Sequence, residues 1–221
     1  MTKIAKLLVL ALLFGAVAAY AGTITVTVYQ NVPNPNDASD SANWGSSVAS
    51  AQFTSSAINF QSNTNVPLAT FLNITPGDFT NQMNGFDPNS NTFNNIELVV
   101  TGQIFLNAGV NSFVIGHDDG IVLSIPGLGS DTCGDVTGVI ANGCHPQPTS
   151  FDTTPFSLSN PGAAGNFNFT LYYTECCGAP ADLLFQVNQE TVGGQVPEPA
   201  SMLLLGSGLV GIATKLRKRR S

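Results

Sequence analysis

From Leu7 to Thr214 the chain carries no lysine and no arginine, yet all fourteen of its carboxylates lie within that stretch. The bases are Lys3, Lys6, Lys215, Arg217, Lys218, Arg219 and Arg220, and between the two groups only His117 and His145 could become cations. Any carboxylate that folding buries must therefore find backbone donors, a proton or a metal ion, because no basic side chain is there to pair with it. The same feature excludes a nucleic-acid binder, whose phosphate contacts need a basic face. The formal net charge is −7, and charged residues make up 10% of the 221 residues. That fraction is well below the roughly 25% usual in soluble domains.

The bases sit in two end segments with a different character from the middle. Lys3 and Lys6 precede an apolar run from Leu7 to Ala19 and a small-residue site, Ala19-Tyr20-Ala21. This pattern predicts a secretory signal peptide over residues 1–21, removed by signal peptidase. At the other end an apolar helix is expected over about 200–214, followed by the basic tail 215–220. The basic flank would stay cytoplasmic and leave the rest of the chain facing outward. The apolar run is short for a bilayer of ordinary thickness, and it serves as the membrane contact before processing.

Val196-Pro197-Glu198-Pro199, the apolar run and the Arg-rich end together resemble a PEP-CTERM sorting signal. Residues 193–221 are then a linker plus that signal, with Pro197, Glu198 and Pro199 as its motif. The resemblance implies a substrate of exosortase, a membrane protease-transpeptidase of Gram-negative bacteria that make extracellular polysaccharide. It places the product at the cell surface or in the extracellular matrix, and it describes destination rather than activity.

Residues 22–192 are expected to form one all-β domain, a β-sandwich or jelly roll. No 3.6-residue apolar stripe occurs there. Short alternating or β-branched runs are bounded instead by Gly, Pro, Asn and Asp. The expected strands are Ile24–Tyr29, Ile96–Phe105, Ser112–Ile115, Ile121–Ile125, Phe167–Tyr173 and Leu183–Val187. Asn31–Ser47 and Asn81–Asn95 have the composition of loops. No repeat of 20–50 residues appears, which argues against a solenoid or propeller.

Four cysteines in an exported chain point to disulfides rather than metal thiolates. They are Cys133, Cys144, Cys176 and Cys177. A bridge between adjacent residues needs a strained ring, so Cys176 and Cys177 are expected to pair with Cys133 and Cys144. A Cys133–Cys144 clip beside a vicinal pair is the alternative.

Gly116-His117-Asp118-Asp119-Gly120 lies between two strand-like runs. Adjacent carboxylates repel each other, and here no base can relieve them. A hard divalent cation can, and calcium accepts carboxylates, amide oxygens and backbone carbonyls in sets of six to eight. A solvated Asp-Asp-Gly turn would use the same residues without a metal. His117 neighbours Asp118 on a strand and so points to the opposite face, which favours a structural or surface role.

Two blocks of sequence resemble the protective-antigen (PA-fourteen) domain, a β-sandwich of bacterial toxins, glycosidases and yeast flocculin lectins. The first runs from Thr101-Gly102-Gln103-Ile104-Phe105 through Ala108-Gly109, Phe113 and His117-Asp118-Asp119-Gly120-Ile121-Val122-Leu123 to Pro126-Gly127. The second is Asn168-Phe169-Thr170-Leu171-Tyr172-Tyr173-Thr174-Glu175, followed by Cys176-Cys177-Gly178-Ala179 and Leu183-Leu184-Phe185. The resemblance implies that Asp118 and Asp119 hold calcium, in flocculins often across a cis peptide bond. It places a further ligand at Glu175, where those lectins carry Asn. It further implies that two vicinal sugar hydroxyls complete the calcium shell. Trp44, Tyr172 and Tyr173 are the candidates, by residue type, to stack on the sugar. Affinity for one such extracellular calcium site is expected on the order of 10⁻⁴–10⁻³ M.

Three functions follow as expectations. The first is a surface or matrix protein that binds a glycan or extracellular polysaccharide through a calcium site, as an adhesion module. The second is a structural matrix protein with a calcium-stabilised or metal-free sandwich. The third, a polysaccharide-acting enzyme, is disfavoured because no nucleophile elbow or triad signature is present.

Overall fold

The structure is a computed structural model describing residues 23–30, 32, 38, 50–83, 85–89, 95–128, 144–145, 152–176 and 178–193. The expected signal peptide, the sorting motif with Pro197, Glu198 and Pro199, the apolar run 200–214 and Trp44 lie outside the described residues. Among those described, no helix is long and apolar enough to cross a membrane.

Alternation along each segment decides which side faces the core. β1 (Ile24–Gln30) buries Ile24, Val26 and Val28, with Thr25, Thr27 and Tyr29 on the other face. Then come β2 (Ala51–Ser55), β3 (Asn59–Ser62), the short helix α1 (Leu68–Phe71) and a 3-10 turn at Pro76–Asp78. The long strands β4 (Ile96–Leu106) and β5 (Gly109–His117) are joined by a short turn that passes from one sheet to the other, and β6 (Ile121–Ser124) and β7 (Cys144–His145) follow. β8 (Asp152–Asn160), β9 (Gly165–Glu175), β10 (Ala181–Val187) and β11 (Glu190–Thr191) complete the chain's strands.

Two antiparallel sheets result. The first has the order β2-β1-β4-β9-β6-β7. The second has the order β11-β10-β5-β8, with β3 also paired to β10. Aromatic rings join them across the core. Phe169 of β9 meets Phe185 of β10 edge-on at 5.5 Å, and Phe53 of β2 meets Phe60 of β3 at 6.1 Å. The fold is the sandwich expected, and all six expected strands occur.

Two connections cross between the sheets at one end. Residues 118–120 lead from β5 to β6, and residues 176–180 lead from β9 to β10. The register sets His117 opposite Leu183 and Ile121 opposite Tyr173, so both crossings start from the same edge of the sandwich.

Candidate functional site

The inward face of β9 continues from Phe169 and Leu171 to Tyr173 and Glu175. Glu175 is thus delivered into the core side at the mouth of the 176–180 crossing, with 0% of its surface exposed. On β5 the inward face continues from Phe113 and Ile115 to His117. Asp118 and Asp119 follow immediately, only 5% and 6% exposed. A solvated turn is therefore not what these aspartates form.

Hydrogen bonds tie the two crossings together. The Cys176 N–H donates to Asp119 Oδ2 at 2.6 Å. The Gly120 N–H donates to Thr174 Oγ1 at 3.2 Å, and the Thr174 N–H returns a bond to the Gly120 carbonyl at 2.9 Å. His117 Nδ1 donates to the Asp119 carbonyl at 2.7 Å, which fixes that ring nitrogen as the protonated one. His117 is fully buried. The Asp118 N–H donates to the Asp182 carbonyl at 3.2 Å, anchoring the first crossing on β10. The Ala179 N–H donates to Asn65 Oδ1 at 3.0 Å and ties down the second.

No lysine or arginine occurs among the described residues, and the acids respond as buried, unpaired anions must. Burial, with repulsion from Asp119 and then Asp182, pushes Asp118 up to about 6. Burial pushes Asp182 up to about 6 against a hydrogen bond from the Gln61 side chain. Burial is also the main cause that pushes Glu175 up to about 9. The Tyr173 hydroxyl and a backbone bond from Gly178 oppose that rise, while Asp119 and Asp118 add to it. The Tyr173 hydroxyl donates to Glu175 Oε2 at 2.7 Å. Burial, followed by the Glu175 charge, holds Tyr173 well above its ordinary value. Two oxygens of the cluster, Glu175 Oε1 and Asp182 Oδ1, are buried without a hydrogen-bond partner.

The structure brings Asp118, Asp119 and Glu175 into one electrostatic cluster and adds Asp182, which sequence reasoning missed. Its only signal was a lone carboxylate at the head of a strand. Tyr173 belongs to the core rather than to a sugar-facing surface, and Tyr172 alternates to the outer face of its sheet. The Asp118–Asp119 peptide bond is not cis, which corrects the expectation taken from the flocculins. Among the described residues the cis bond is Ala179–Pro180. As the side chains stand, no group of three or more His, Cys, Asp or Glu residues among those described is arranged to hold a metal ion. The donor chemistry nonetheless suits a hard cation, because every side-chain donor in the cluster is oxygen and two oxygens lack partners. Cys176 is buried and disulfide-bonded. Cys133, Cys177 and the side chain of Cys144 lie outside the described residues, so the pairing stays open.

Residues 195–220 match the PEP-CTERM protein-sorting motif, which marks the chain for export and surface sorting. No match is found among curated protein sequences. Among solved structures, the chain is similar to the PA14 domain of the MpAFP antifreeze protein. The TM-score is 0.55 and the identity 21%, covering 80% of this chain and 86% of that one. It is also similar to a PA14 sugar-binding domain from an RTX adhesin, with TM-score 0.51 and 19% identity over 81% and 93% of the two chains. Identities this low show the fold alone, a PA14-type β-sandwich.

Proposed function

We propose that this chain is an exported, non-enzymatic surface protein that binds carbohydrate through the end of the sandwich formed by residues 118–120 and 176–180. The observation that carries this reading is the carboxylate cluster of Asp118, Asp119, Glu175 and Asp182 in a domain without a lysine or arginine. Such a cluster calls for a cation from outside the protein. Calcium fits, because it combines carboxylates with backbone carbonyls and ligand oxygens and needs no third carboxylate. In this reading Asp118 and Asp119 hold the ion, and Glu175 supplies a further oxygen after losing its proton. Bound there, calcium would offer coordination positions to two vicinal hydroxyls of a sugar. The sugar-binding PA14 domain of the RTX adhesin, similar over most of its length, supports the ligand class. The sorting motif supports exosortase as the processing partner and the cell surface or polysaccharide matrix of a Gram-negative bacterium as the destination.

An enzyme acting on polysaccharide fits poorly. Glycoside hydrolysis needs two carboxyl groups that both reach the scissile bond, whereas Glu175 is sealed in the core. The small exposure of Asp118 and Asp119 does favour one second reading, in which calcium only stabilises a structural matrix protein.

Thermal unfolding with calcium and with chelator, followed by a glycan array under both conditions, tests these readings. Calcium at one hundred times its dissociation constant should stabilise the protein by about 2.7 kcal/mol, a rise of roughly 5–10 °C for a domain this size. Asp119→Asn keeps an acceptor for the Cys176 N–H and should weaken the calcium response at least tenfold. Array binding lost with chelator supports the lectin reading, whereas a calcium response without array binding supports the structural one. No calcium response in the native protein overturns both.

A further inference from the structure

Strand registers line up hydroxyl side chains across the outer face of the β2-β1-β4-β9-β6-β7 sheet. Thr54 pairs with Thr25, Thr25 with Thr101, Thr101 with Thr170, and Thr170 with Ser124. Five adjacent strands thus place one hydroxyl each in a single row, spaced about 4.8 Å from strand to strand. The side chains stand on the face opposite the core, since Ile24, Val26, Val100, Phe169, Leu171 and Leu123 occupy the alternate, buried positions. Thr54 and Thr101 are exposed, and the other three are half-buried.

The rows on either side have complementary chemistry. On one side, about 7 Å away by strand geometry, Val99, Tyr172 and Val122 form a half-buried apolar track. On the other, exposed Gln103 and Asn168 face each other, and Gln103 Nε2 donates to Asn168 Oδ1 at 3.0 Å. Near the sheet edge Gln52 Nε2 donates to Thr27 Oγ1 at 3.1 Å, and Asn81 Nδ2 donates to Gln52 Oε1 at 2.6 Å. These bonds hold the long amides in place before any partner arrives, which reduces the entropy lost on binding. Charge is kept off the face. Among the described residues Glu97 is the one acid whose strand position belongs to it, and Glu97 is buried.

We infer that this face is a second carbohydrate-binding surface, fitted to an uncharged polysaccharide chain lying across the strands. A pyranose has hydroxyl edges and apolar C–H faces. A hydroxyl and amide lattice beside an aromatic and aliphatic track matches both at once. An acidic polymer does not fit, since the face offers it no cation and the domain around it is anionic. The inference shares the carbohydrate reading proposed above but uses neither Asp118, Asp119 nor calcium.

The experiment is retention of the full chain on insoluble β-1,4-glucan, amylose resin and immobilised dextran, with alginate as the acidic comparison, all in the presence of chelator. The native protein should be retained on at least one neutral polymer and not on alginate. The pair Thr101→Glu and Thr170→Glu, and separately Tyr172→Ala, should weaken that retention about tenfold, while Val110→Thr, exposed on the other sheet, leaves it unchanged. If the Glu pair lowers the melting temperature, Thr101→Val with Thr170→Val removes the hydroxyls while keeping strand propensity, and should weaken retention likewise. No chelator-resistant retention on any neutral polymer, retention indifferent to the face variants, or preference for alginate overturns the inference. Loss of all binding with chelator defeats this surface and leaves the loop site standing. A native protein without a calcium response, retained on neutral polymer, does the reverse.

Discussion

Glu175 sits on the core face of β9 with its Oε2 bonded to Tyr173 and its Oε1 buried without a partner. Held at about 9 by burial first of all, it carries its proton at neutral pH in the metal-free fold. The unfolded chain releases that proton near the ordinary carboxylate value. Between about 4.5 and 9 the native state therefore binds more protons than the unfolded one, and stability falls as pH rises. Asp118 and Asp182, both raised to about 6, act in the same direction at lower pH. With chelator present, the melting temperature should drop by several degrees from pH 5 to pH 8.5. Glu175→Gln cannot ionise, so it should flatten that slope and melt higher than the native protein at pH 8. Differential scanning calorimetry across this range decides it, and a rising or flat native profile refutes the protonated-core account. At this scale the sequence disclosed Asp118 and Asp119, because adjacent carboxylates without bases stand out in any linear reading, and it disclosed Glu175 only through the resemblance to the protective-antigen domain. It could not disclose Asp182, whose place beside the cluster depends on β10 pairing with β5. The Tyr173–Glu175 bond lies within β9, where two-residue alternation puts both side chains on one face.

Strands were legible where they are buried and obscure where they are wet or edge-placed. β1, β4, β5, β6, β9 and β10 announce themselves by β-branched and aromatic alternation. β2 and β3 offer only Ala51, Phe53 and Phe60 to the core, too few to mark a period. β8 carries Pro155, which cannot donate to a ladder, and it lies at the edge of its sheet where proline is tolerated. How the turns at the far end are pinned was equally hidden. At the end of the sandwich away from Asp118, the buried Asn111 side chain accepts from the Asn107 N–H and from Asn188 Nδ2, both at 2.9 Å. Its own amide donates to the carbonyls of Asn107 and Gly109 at 2.9 and 3.1 Å. Asn160 Nδ2 reaches the same Asn107 carbonyl at 3.1 Å, so the turns after β4, β8 and β10 share one polar knot. Asn111→Ala would strand several of these buried groups, each costing about 1–3 kcal/mol when left unpaired. A fall in melting temperature of roughly 5–12 °C is expected for a domain of this size. The calcium-dependent increment should survive, because Asn111 lies six residues along β5 from His117, about 20 Å by strand rise. A melting temperature unchanged by the substitution would show that water replaces the knot at no cost.

Across the whole molecule, charge is sorted by destination. Of the fourteen carboxylates all but Glu198 fall between residues 22 and 194, where no lysine or arginine occurs, while every base belongs to an end segment. Removal of both end segments would leave thirteen acids with no lysine or arginine to offset them. Self-repulsion on that scale destabilises a compact state and keeps anionic partners away. Salt shortens the reach of the repulsion, from about 30 Å at 0.01 M to about 8 Å at 0.15 M. The chelated domain should therefore melt several degrees higher in 0.15 M than in 0.01 M sodium chloride. Calcium should add to that rise rather than merely replace it, since a site-bound ion acts at the buried cluster and mobile ions act at the surface. Melting curves at the two salt levels, each with and without calcium, separate the terms. Full compensation by sodium chloride alone would mean that the cluster at Asp118 and Asp119 needs only general screening, and no ion of its own.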